Sequence, residues 1–324
     1  MQSPSAAAHP RLDALIAKAK LLPALRTALA FPGNEASLIA ALEASASGLI
    51  DFVCFGDAAQ IARLQAASAH RSLRDATVSV VDTGADPNAA AMAAVAACAS
   101  GQFEALMKGS LHTDELMAAV LAPVGALRGA LRMTHCFVFD VPRYHKLLAI
   151  TDAVVNINPD LKTKAEAISS AIALLRQLGV AVPKVAVVTA VETVNEAIPA
   201  TLDAAKLVQM ARAGEFGEAL VEGPFGFDNA ISAEAAKTKG MISEVAGEPD
   251  LIVVPDLNSG NILYKALVYM ADAECAGIVL GAKVPIILTS RADSGFARVA
   301  SCALASLARA GDAAATGGAL KERG

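Results

Sequence analysis

The stretch LIVVPDLNSGNILYK, residues 251–265, decides the fold class. It opens with an unbroken apolar run, which is typical of a β-strand covered on both faces. A turn with Pro255 follows, and from Gly260 onward the apolar residues recur with helical spacing. A strand that passes through a short turn into a helix is the building unit of a parallel α/β sheet.

The same alternation continues along most of the chain. Apolar runs predict strands at residues 49–55, 77–81, 103–107, 136–141, 150–157, 185–188, 219–221, 251–254, 276–280 and 284–289. Ala- and Leu-rich segments predict helices at residues 11–30, 58–68, 88–100, 114–121, 161–178, 195–213, 229–239, 260–270 and 295–310. We therefore expect an α/β fold of mainly parallel sheets, with helices on both faces and right-handed crossovers. Residues 311–324 are expected to fray.

The chain length indicates two domains, since 324 residues correspond to about two domains of roughly 150 residues each. Segment 132–144 mixes polar and aromatic residues, and a second crossing between domains is predicted near residues 281–283. We expect a discontinuous first α/β domain, residues 1–136 and 282–324, and a second α/β domain, residues 137–281. A cleft between two such domains is the usual place for a small-molecule site.

Composition excludes several classes of protein. With 55% hydrophobic residues, 18% charged residues and a mean hydropathy of +0.48, the chain is not disordered. Charged residues interrupt every apolar run before the roughly 18 to 20 residues of a membrane span, and residues 1–10 lack a signal-peptide pattern. The net charge of -5 argues against a nucleic-acid surface. We expect a cytoplasmic protein that binds neither a membrane nor a nucleic acid.

Several common chemistry motifs are missing from the sequence. The five cysteines show no C-x-x-C spacing. Four of them lie in apolar surroundings and are expected to be small buried residues, and a reducing compartment fits. The sequence lacks G-x-G-x-x-G after a strand, a P-loop, G-x-S-x-G and H-E-x-x-H, and no histidine follows His145. These absences disfavour nicotinamide, metal and Ser-His-Asp chemistry.

Polar residues concentrate after four predicted strands, at the edge where α/β sheets hold ligands. In the first cluster, Lys108 precedes a helix that Thr113 or Asp114 is expected to cap, so a cation and a helix N-terminus can hold an anion together. An ordinary strand-to-helix turn explains these residues equally well. In the second cluster, EGPFGFDN (residues 222–229), a structural turn before a helix capped by Asp228 or Asn229 is favoured.

The third cluster, residues 254–261, crowds hydrogen-bonding side chains into a short turn: Asp256, Asn258, Ser259 and Asn261. One helix cap requires one such residue, so the excess favours a binding role. Lys265 follows one helical turn beyond Asn261, on the same face.

The fourth cluster, KVPIILTSRADS (residues 283–294), leads a buried strand into Ser290 and Arg291, after which Asp293 and Ser294 open a helix. An arginine at the end of an apolar strand is expected to meet an anion, because its planar fork suits phosphate. A solvated arginine before a capped helix is the alternative.

Together, the third and fourth clusters resemble the phosphate acetyltransferase and phosphate butyryltransferase family. The segments LMKGSLHTDEL (106–116), VFDVPRYHK (138–146), TDAVVNINPDL (151–161) and VEGPFGFDNAIS (221–232) are similar to family segments in matching order. The likeness runs from residue 49 to residue 310, and the segments at 106–116 and 138–146 are closer to the butyryl branch.

The resemblance implies a reversible reaction in which an acyl phosphate and coenzyme A give acyl-CoA and phosphate by direct attack of the thiolate. The acyl group is expected to be short, from acetyl to butyryl, and neither a tightly bound cofactor nor a metal is expected. The partners are then coenzyme A, acyl phosphate and inorganic phosphate. The resemblance also implies a two-domain fold of the isocitrate/isopropylmalate dehydrogenase type, a cleft site and a homodimer.

Residue roles follow from the same resemblance. Ser290 and Arg291 match the family's Ser-Arg pair, in which the arginine holds the phosphoryl group and the serine assists at the reacting centre. Ala297 stands where the family has an Asp that takes the thiol proton, which leaves Asp293 nearby as the candidate base. Arg128, in LRGAL, matches an arginine associated with the phosphates of coenzyme A. The expected substrate-binding residues are Lys108, Thr113, Arg128, Asp256, Asn258, Ser259, Asn261, Lys265 and Lys283.

Two alternatives stay open. A metal- and NAD-dependent dehydrogenase of the same fold is compatible with the architecture, since fold does not fix function. A non-catalytic sensor of acyl-CoA is compatible with the departure at Ala297.

Overall fold

The structure is a computed structural model that describes residues 9–122, 127–289 and 293–321, with the main chain alone for residues 312–321. The helices in these ranges are α1 Pro10–Ala19, α2 Glu35–Ala46, α3 Ala58–Ala67, α4 Arg71–Arg74, α5 Pro87–Ala99, α6 Thr113–Leu121, α7 Leu161–Leu178, α8 Pro199–Arg212, α9 Phe227–Ile231, α10 Ala233–Thr238, α11 Leu257–Met270 and α12 Gly295–Lys321. The strands are β1 Leu25–Ala30, β2 Ile50–Gly56, β3 Val80–Asp82, β4 Ala105–Lys108, β5 Thr134–Asp140, β6 Leu148–Thr151, β7 Lys184–Val188, β8 Leu220–Phe225, β9 Leu251–Val253, β10 Glu274–Leu280 and β11 Ile286–Ile287.

The chain forms two compact units. The amino-terminal unit comprises Asp13–Ala130 and residues 276–321, and the central unit comprises residues 9–12 and Leu131–Cys275. The domain boundaries expected from the sequence, 1–136 with 282–324 and 137–281, remain a prediction.

In the amino-terminal unit the strands lie in the order β3-β2-β1-β4-β11-β10. All of the pairs from β3 to β11 are parallel, and β10 and β11 pair antiparallel. The sheet is apolar through its centre: Ala28, Leu29, Leu106, Ile286 and Ile287 have no exposed surface. Buried, near-continuous apolar strands are expected where helices cover both faces of a parallel sheet.

In the central unit the order is β5-β6-β9-β7-β8, with β5 and β6 antiparallel and the other pairs parallel. Phe137 of β5 stacks on Tyr264 of α11 with ring centroids 4.4 Å apart and an interplanar angle of 5°. Phe139 and Ile252 complete the buried layer around this pair. The two strand orders confirm an α/β fold with mostly parallel strands, as the alternating sequence pattern predicts.

The predicted helix over residues 11–30 is wrong in its second half. Helix α1 ends at Ala19, and Leu25–Ala30 form strand β1, which pairs with β2 on one side and β4 on the other. Leu and Ala have high helix propensity, but hydrogen bonding and burial between two strands override it here.

Two other predicted elements end at different places. Strand β6 stops at Thr151 and not at residue 157, because the carboxylate of Asp152 accepts hydrogen bonds from the main-chain N–H of Val154 and Val155, each at 2.9 Å, and turns the chain. Helix α12 continues to Lys321, where fraying was expected. Among the described residues, every helix is too short or too polar to span a membrane.

Candidate functional site

One edge of the amino-terminal sheet gathers the segments that follow three parallel strands. Ala30 of β1 lies opposite Lys108 of β4, and Ile287 of β11 lies opposite Met107. The chain therefore leaves β1 toward the cap of α2, leaves β4 at Lys108 and leaves β11 at Thr289 along the same edge. The carboxyl ends of parallel strands are where open α/β sheets bind ligands.

Lys108 lies inside the protein at this edge, with 6% of its surface exposed. Its Nζ donates hydrogen bonds to the carbonyl oxygens of Leu111, at 3.1 Å, and Gly109, at 3.4 Å. Gly109 is packed so closely against β1 that a Cβ there would lie 2.5 Å from the carbonyl oxygen of Ala30. A buried ammonium is costly unless it meets hydrogen-bond acceptors or an anion. Here the two carbonyl oxygens are such acceptors, and they fix the Nζ at the sheet edge, where its positive charge can attract an anion.

A small pocket of about 50 Å³ opens beside Lys108. Its described wall is formed by Asn34, Ala36, Ser37, Met107, Lys108, Gly109, Thr289 and Arg298. Arg298, on the first turn of α12, donates from Nη1 to the carbonyl oxygen of Ala36 at 3.1 Å. Arg298 was not among the residues expected from the sequence. Helical spacing alone does not show that α12 returns to the start of α2, so no sequence signal pointed to it.

The cap expected for α6 differs from the structure. The helix begins at Thr113, with His112 as its N-cap, and neither Thr113 nor Asp114 holds that position. The main-chain N–H of His112 donates to Oε2 of Glu115 at 2.7 Å, which closes the first turn. Thr113 is thus the first residue of the helix, and its role in binding stays a prediction.

The structure brings Arg128 and Lys283 together. Arg128 forms an antiparallel bridge with Ala282, and the main-chain N–H of Lys283 donates to the carbonyl oxygen of Leu127 at 2.8 Å. Gly129 allows this approach, because a Cβ there would lie 2.5 Å from the carbonyl oxygen of Gly281. Both cationic residues are exposed, as is suitable for holding phosphates that remain in contact with water.

The predicted catalytic pair, Ser290 and Arg291, lies outside the described residues. Immediately after it, Asp293 is half-buried, and the Oγ of Ser294 accepts a hydrogen bond from the N–H of Ala297 at 2.9 Å. Ser294 therefore caps α12, as expected. Ala297, where the resemblance leads one to expect an Asp, is 2% exposed and places a buried methyl group there.

In the central unit, Asp256 and Ser259 form the start of α11. Oδ1 of Asp256 accepts from the N–H of Ser259 at 2.8 Å and from its Oγ at 3.0 Å. Such a cap satisfies one of the N–H groups that lack a partner within the helix. Two of the four side chains that favoured a binding role therefore have a structural use, and the structure does not test whether they also bind a ligand.

The next residues of α11 pack against the chain that leaves β6. Asn261 donates from Nδ2 to the carbonyl oxygen of Ala153 at 3.4 Å. A Cβ on Gly260 would lie 2.8 Å from the carbonyl oxygen of Asp152, so a close approach requires glycine there. Asn258 and Lys265, by contrast, are exposed and available to a ligand.

Asp152 is a buried carboxylate that the sequence analysis did not single out. It is 5% exposed and accepts hydrogen bonds from the side chains of Thr134, at 3.0 Å, and Asn156, at 2.6 Å, besides those from the main chain. Asn156 also donates to the carbonyl oxygen of Met133 at 2.9 Å. The Asp152 network fixes the segment against which Asn261 and Gly260 pack. An Asp directly after an apolar strand was the available signal.

A second unpredicted group follows β7 and β8. The Nζ of Lys239 lies 3.1 Å from a carboxylate oxygen of Glu192 and 3.1 Å from one of Asp228. Lys239 donates hydrogen bonds to Glu192 and Asp228. These bonds lower the pKa of both carboxyl groups and raise the pKa of Lys239. The cap expected at Asp228 or Asn229 is wrong, because α9 begins at Phe227 with Gly226 as its N-cap.

All five cysteines are buried, which includes the four for which burial was expected. Loss of hydration raises the pKa of the thiols of Cys54, Cys98, Cys136 and Cys302 to about 12. A thiol must become a thiolate to act as a nucleophile, so these four are unsuited to covalent catalysis. Within the described ranges, no group of three or more His, Cys, Asp or Glu residues is arranged to hold a metal ion.

Comparison with known proteins identifies relatives over most of the chain. Residues 57–306 match the model of the family described as phosphate acetyl/butaryl transferase. A phosphate acetyltransferase of Rhizobium meliloti is 47% identical over 297 residues, which cover 92% of this chain and 93% of that protein. A phosphate butyryltransferase of Clostridium beijerinckii is 36% identical over 298 residues, covering 92% and 97%. The crystal structure of a branched-chain phosphotransacylase from Enterococcus faecalis superposes with a TM-score of 0.75 at 28% identity, covering 88% of this chain and 99% of that one.

Proposed function

The chain belongs to the phosphate acetyl/butyryltransferase family, and from this premise we propose that it transfers a short acyl group between phosphate and coenzyme A. The match over residues 57–306 carries the proposal. It includes the edge of the amino-terminal sheet, where the buried Lys108 supplies positive charge for an anionic substrate. The acyl range is acetyl to butyryl, and the acetyltransferase and butyryltransferase relatives support both ends of it.

The reaction begins with the thiol of coenzyme A, which loses its proton and attacks the carbonyl carbon of the acyl phosphate. A C–S bond forms, the C–O bond to phosphate breaks, and phosphate leaves with the electron pair. A thiol of ordinary pKa, about 8.5, needs modest help to ionise, and an acyl phosphate already carries a good leaving group. Positioning and charge neutralisation are then the main contributions of the protein.

We assign the phosphoryl group to Arg291, with Ser290 beside the reacting carbon and Asp293 as the acceptor of the thiol proton. Lys108 neutralises the departing phosphate from inside the sheet edge. The exposed pair Arg128 and Lys283 suits the phosphates of coenzyme A, because a surface cation that binds a phosphate loses only part of its hydration.

Asn258 and Lys265, at the start of α11, are further substrate contacts in this proposal. Asp256, Ser259 and Asn261 hold that helix start in place while presenting polar atoms near it. We further propose a cytoplasmic homodimer with the two-domain arrangement of the isocitrate dehydrogenase type, no tightly bound cofactor, and neither a membrane nor a nucleic acid as partner.

The proposal is tested with purified protein, coenzyme A, and acetyl, propionyl or butyryl phosphate, without added metal and with EDTA in a parallel sample. Thioester should form in both samples. If none of the three acyl phosphates gives thioester, the acyltransferase proposal is wrong. Binding of coenzyme A without turnover would then indicate the sensor, and NAD-dependent turnover abolished by EDTA would indicate the dehydrogenase.

Acyl-chain preference is measured in the same assay as kcat/KM. Each methylene buried in an apolar pocket changes binding by about 1 kcal/mol, so the three substrates should differ by several-fold per carbon at most. A preference for acetyl phosphate of more than about a hundredfold would contradict the likeness of residues 106–116 and 138–146 to the butyryl branch.

A further inference from the structure

The pocket beside Lys108 has the size of a small group and not of a whole substrate. Its volume of about 50 Å³ is small beside the roughly 300 to 1,000 Å³ of clefts that hold a whole ligand. The adenine and pantetheine parts of coenzyme A do not fit in such a space. A tetrahedral oxyanion does.

The pocket wall is positively charged. Two of its residues, Lys108 and Arg298, are cations, and none of its described residues is acidic. Glu35, the acidic residue on the first turn of α2, is not among the described wall residues, and its carboxylate accepts a hydrogen bond from Ser68. The charge of the described wall therefore favours an anion.

The first turn of α2 adds to this preference. Ala36 and Ser37, the second and third residues of the helix, line the pocket, and the capping residue Asn34 lies beside them. A helix N-terminus carries partial positive charge and main-chain N–H groups that lack partners within the helix. Two side-chain cations and a helix start thus face one small space.

Arg298 is held where it can act on that space. Its Nη1 donates to the carbonyl oxygen of Ala36 at 3.1 Å, which ties α12 to the first turn of α2. A guanidinium has five N–H donors in a planar fork, so it can hold more than one acceptor at once. On the far wall, the tight packing of Gly109 against β1 fixes Lys108.

We infer that this pocket is the phosphate subsite and that Arg298 is a phosphate-binding residue in addition to Arg291. The inference rests on the proposed acyltransferase function and names the residues that hold its smallest substrate. Thr289, on the pocket wall, directly precedes Ser290 in the sequence.

Three variants test the inference: Arg298→Ala, Arg298→Lys and the matched control Arg309→Ala. Arg309 is on the same helix but outside the pocket wall. The assay runs from acyl-CoA and phosphate, with each substrate varied in turn. For Arg298→Ala we expect the KM for phosphate to rise about 10- to 100-fold, the range of a charged hydrogen bond, while the KM for acyl-CoA changes less than about twofold. Arg298→Lys should recover part of the loss, and Arg309→Ala should match the wild type.

A second measurement does not depend on turnover. Inorganic phosphate should raise the melting temperature of the wild type and of Arg309→Ala, because a ligand that binds the folded state stabilises it. The same concentration should have little effect on Arg298→Ala.

An unchanged KM for phosphate in Arg298→Ala, with full stabilisation by phosphate, would overturn the inference and leave the acyltransferase proposal standing. Equal increases in both KM values together with a lower melting temperature in the absence of phosphate would show a structural role, and would also overturn it. If the wild type forms no thioester but phosphate stabilises it through Arg298, the proposed function fails while the anion pocket is supported.

Discussion

Two strand ends, one in each unit, carry dense polar sequence, and the structure uses them differently. After β9 in the central unit, Asp256 and Ser259 bond to each other and Asn261 bonds to a carbonyl oxygen. After β4 in the amino-terminal unit there are fewer polar residues, but one of them is the buried cation Lys108 beside a pocket. A buried charge is a stronger sign of a binding site than a run of polar residues, because local hydrogen bonds account for the run, whereas carbonyl oxygens offset the cost of burying a full charge only in part.

The largest expected difference between the two regions is the loss of kcat/KM in Arg291→Ala compared with that in Lys265→Ala. Loss of the phosphoryl-binding fork should lower kcat/KM by about a thousandfold, whereas loss of an exposed lysine on α11 should lower it by less than about tenfold. Steady-state kinetics with circular dichroism as a check on folding would measure both. Similar losses of kcat/KM in the two variants would contradict the expected functional difference between the two regions.

Gly109→Ala and Gly260→Ala compare how tightly the backbone is packed in the two regions. In each case the new Cβ meets main-chain atoms below 3.0 Å, which cannot move without shifting a strand or a loop. We expect both variants to lose about 3 kcal/mol of unfolding free energy, measured in urea. Gly295→Ala is the control, because its Cβ would meet a flexible carboxylate at 3.5 Å and should be neutral or slightly stabilising. A harmless Gly109→Ala would mean that β4 is not held tightly against β1.

A smaller effect separates capping from binding at the start of α11. Asp256→Ala should lower the unfolding free energy by about 1 kcal/mol, because the N–H of Ser259 loses its acceptor. Asn258→Ala, at an exposed neighbour, should leave stability within about 0.5 kcal/mol and raise the KM for a substrate. If Asn258→Ala leaves every kinetic constant unchanged, the start of α11 is a structural element alone.

The smallest effect concerns Lys239, an exposed cation of the central unit that contrasts with the buried Lys108. The pKa values of Glu192 and Asp228 are lowered by Lys239, so their contribution to stability is present above their ordinary range near 4 and is lost as the pH falls through it. The raised pKa of Lys239 gives a contribution that is present below about 10.4 and is lost above it.

Lys239→Met should therefore lower the melting temperature slightly from about pH 5 to pH 9, and the difference from the wild type should shrink on either side of that range. Lys237→Met, at an exposed neighbour on α10, serves as the control. A difference that stays constant down to pH 3 would assign the effect to packing and not to charge.

Apolar runs predicted much of the fold, and each element that was not predicted has a local cause. Strands β2, β5, β7, β9 and β10 have continuous apolar sequence and were predicted close to their observed bounds. Strand β1, LRTALA, consists largely of helix-favouring residues, and its state depends on pairing with β2 and β4, which are distant in sequence. Helix α2, also missed, depends on a cap by Asn34 directly after that strand.

The candidate site could be predicted in part, where its residues directly follow a predicted strand. Lys108 follows a strand, so its place at the sheet edge could be predicted. Arg298 could not be, because helical spacing does not show that α12 returns to the start of α2. After β9, the cap by Asp256 also engages the hydroxyl of Ser259, so these two polar residues have a structural use, and their binding role stays a prediction.

The buried cysteines bear on a hazard of the proposed chemistry, which is acylation of the enzyme by its own substrate. Acyl phosphates react with any accessible thiolate, and thioesters exchange with thiols. A thiol with a pKa of about 12, such as those of Cys54, Cys98, Cys136 and Cys302, populates its thiolate roughly a thousandfold less at neutral pH than one of ordinary pKa. Burial also keeps these sulfurs out of reach of both substrates. These cysteines are therefore protected from acylation by acyl phosphate or acyl-CoA, and coenzyme A remains the thiol that reacts.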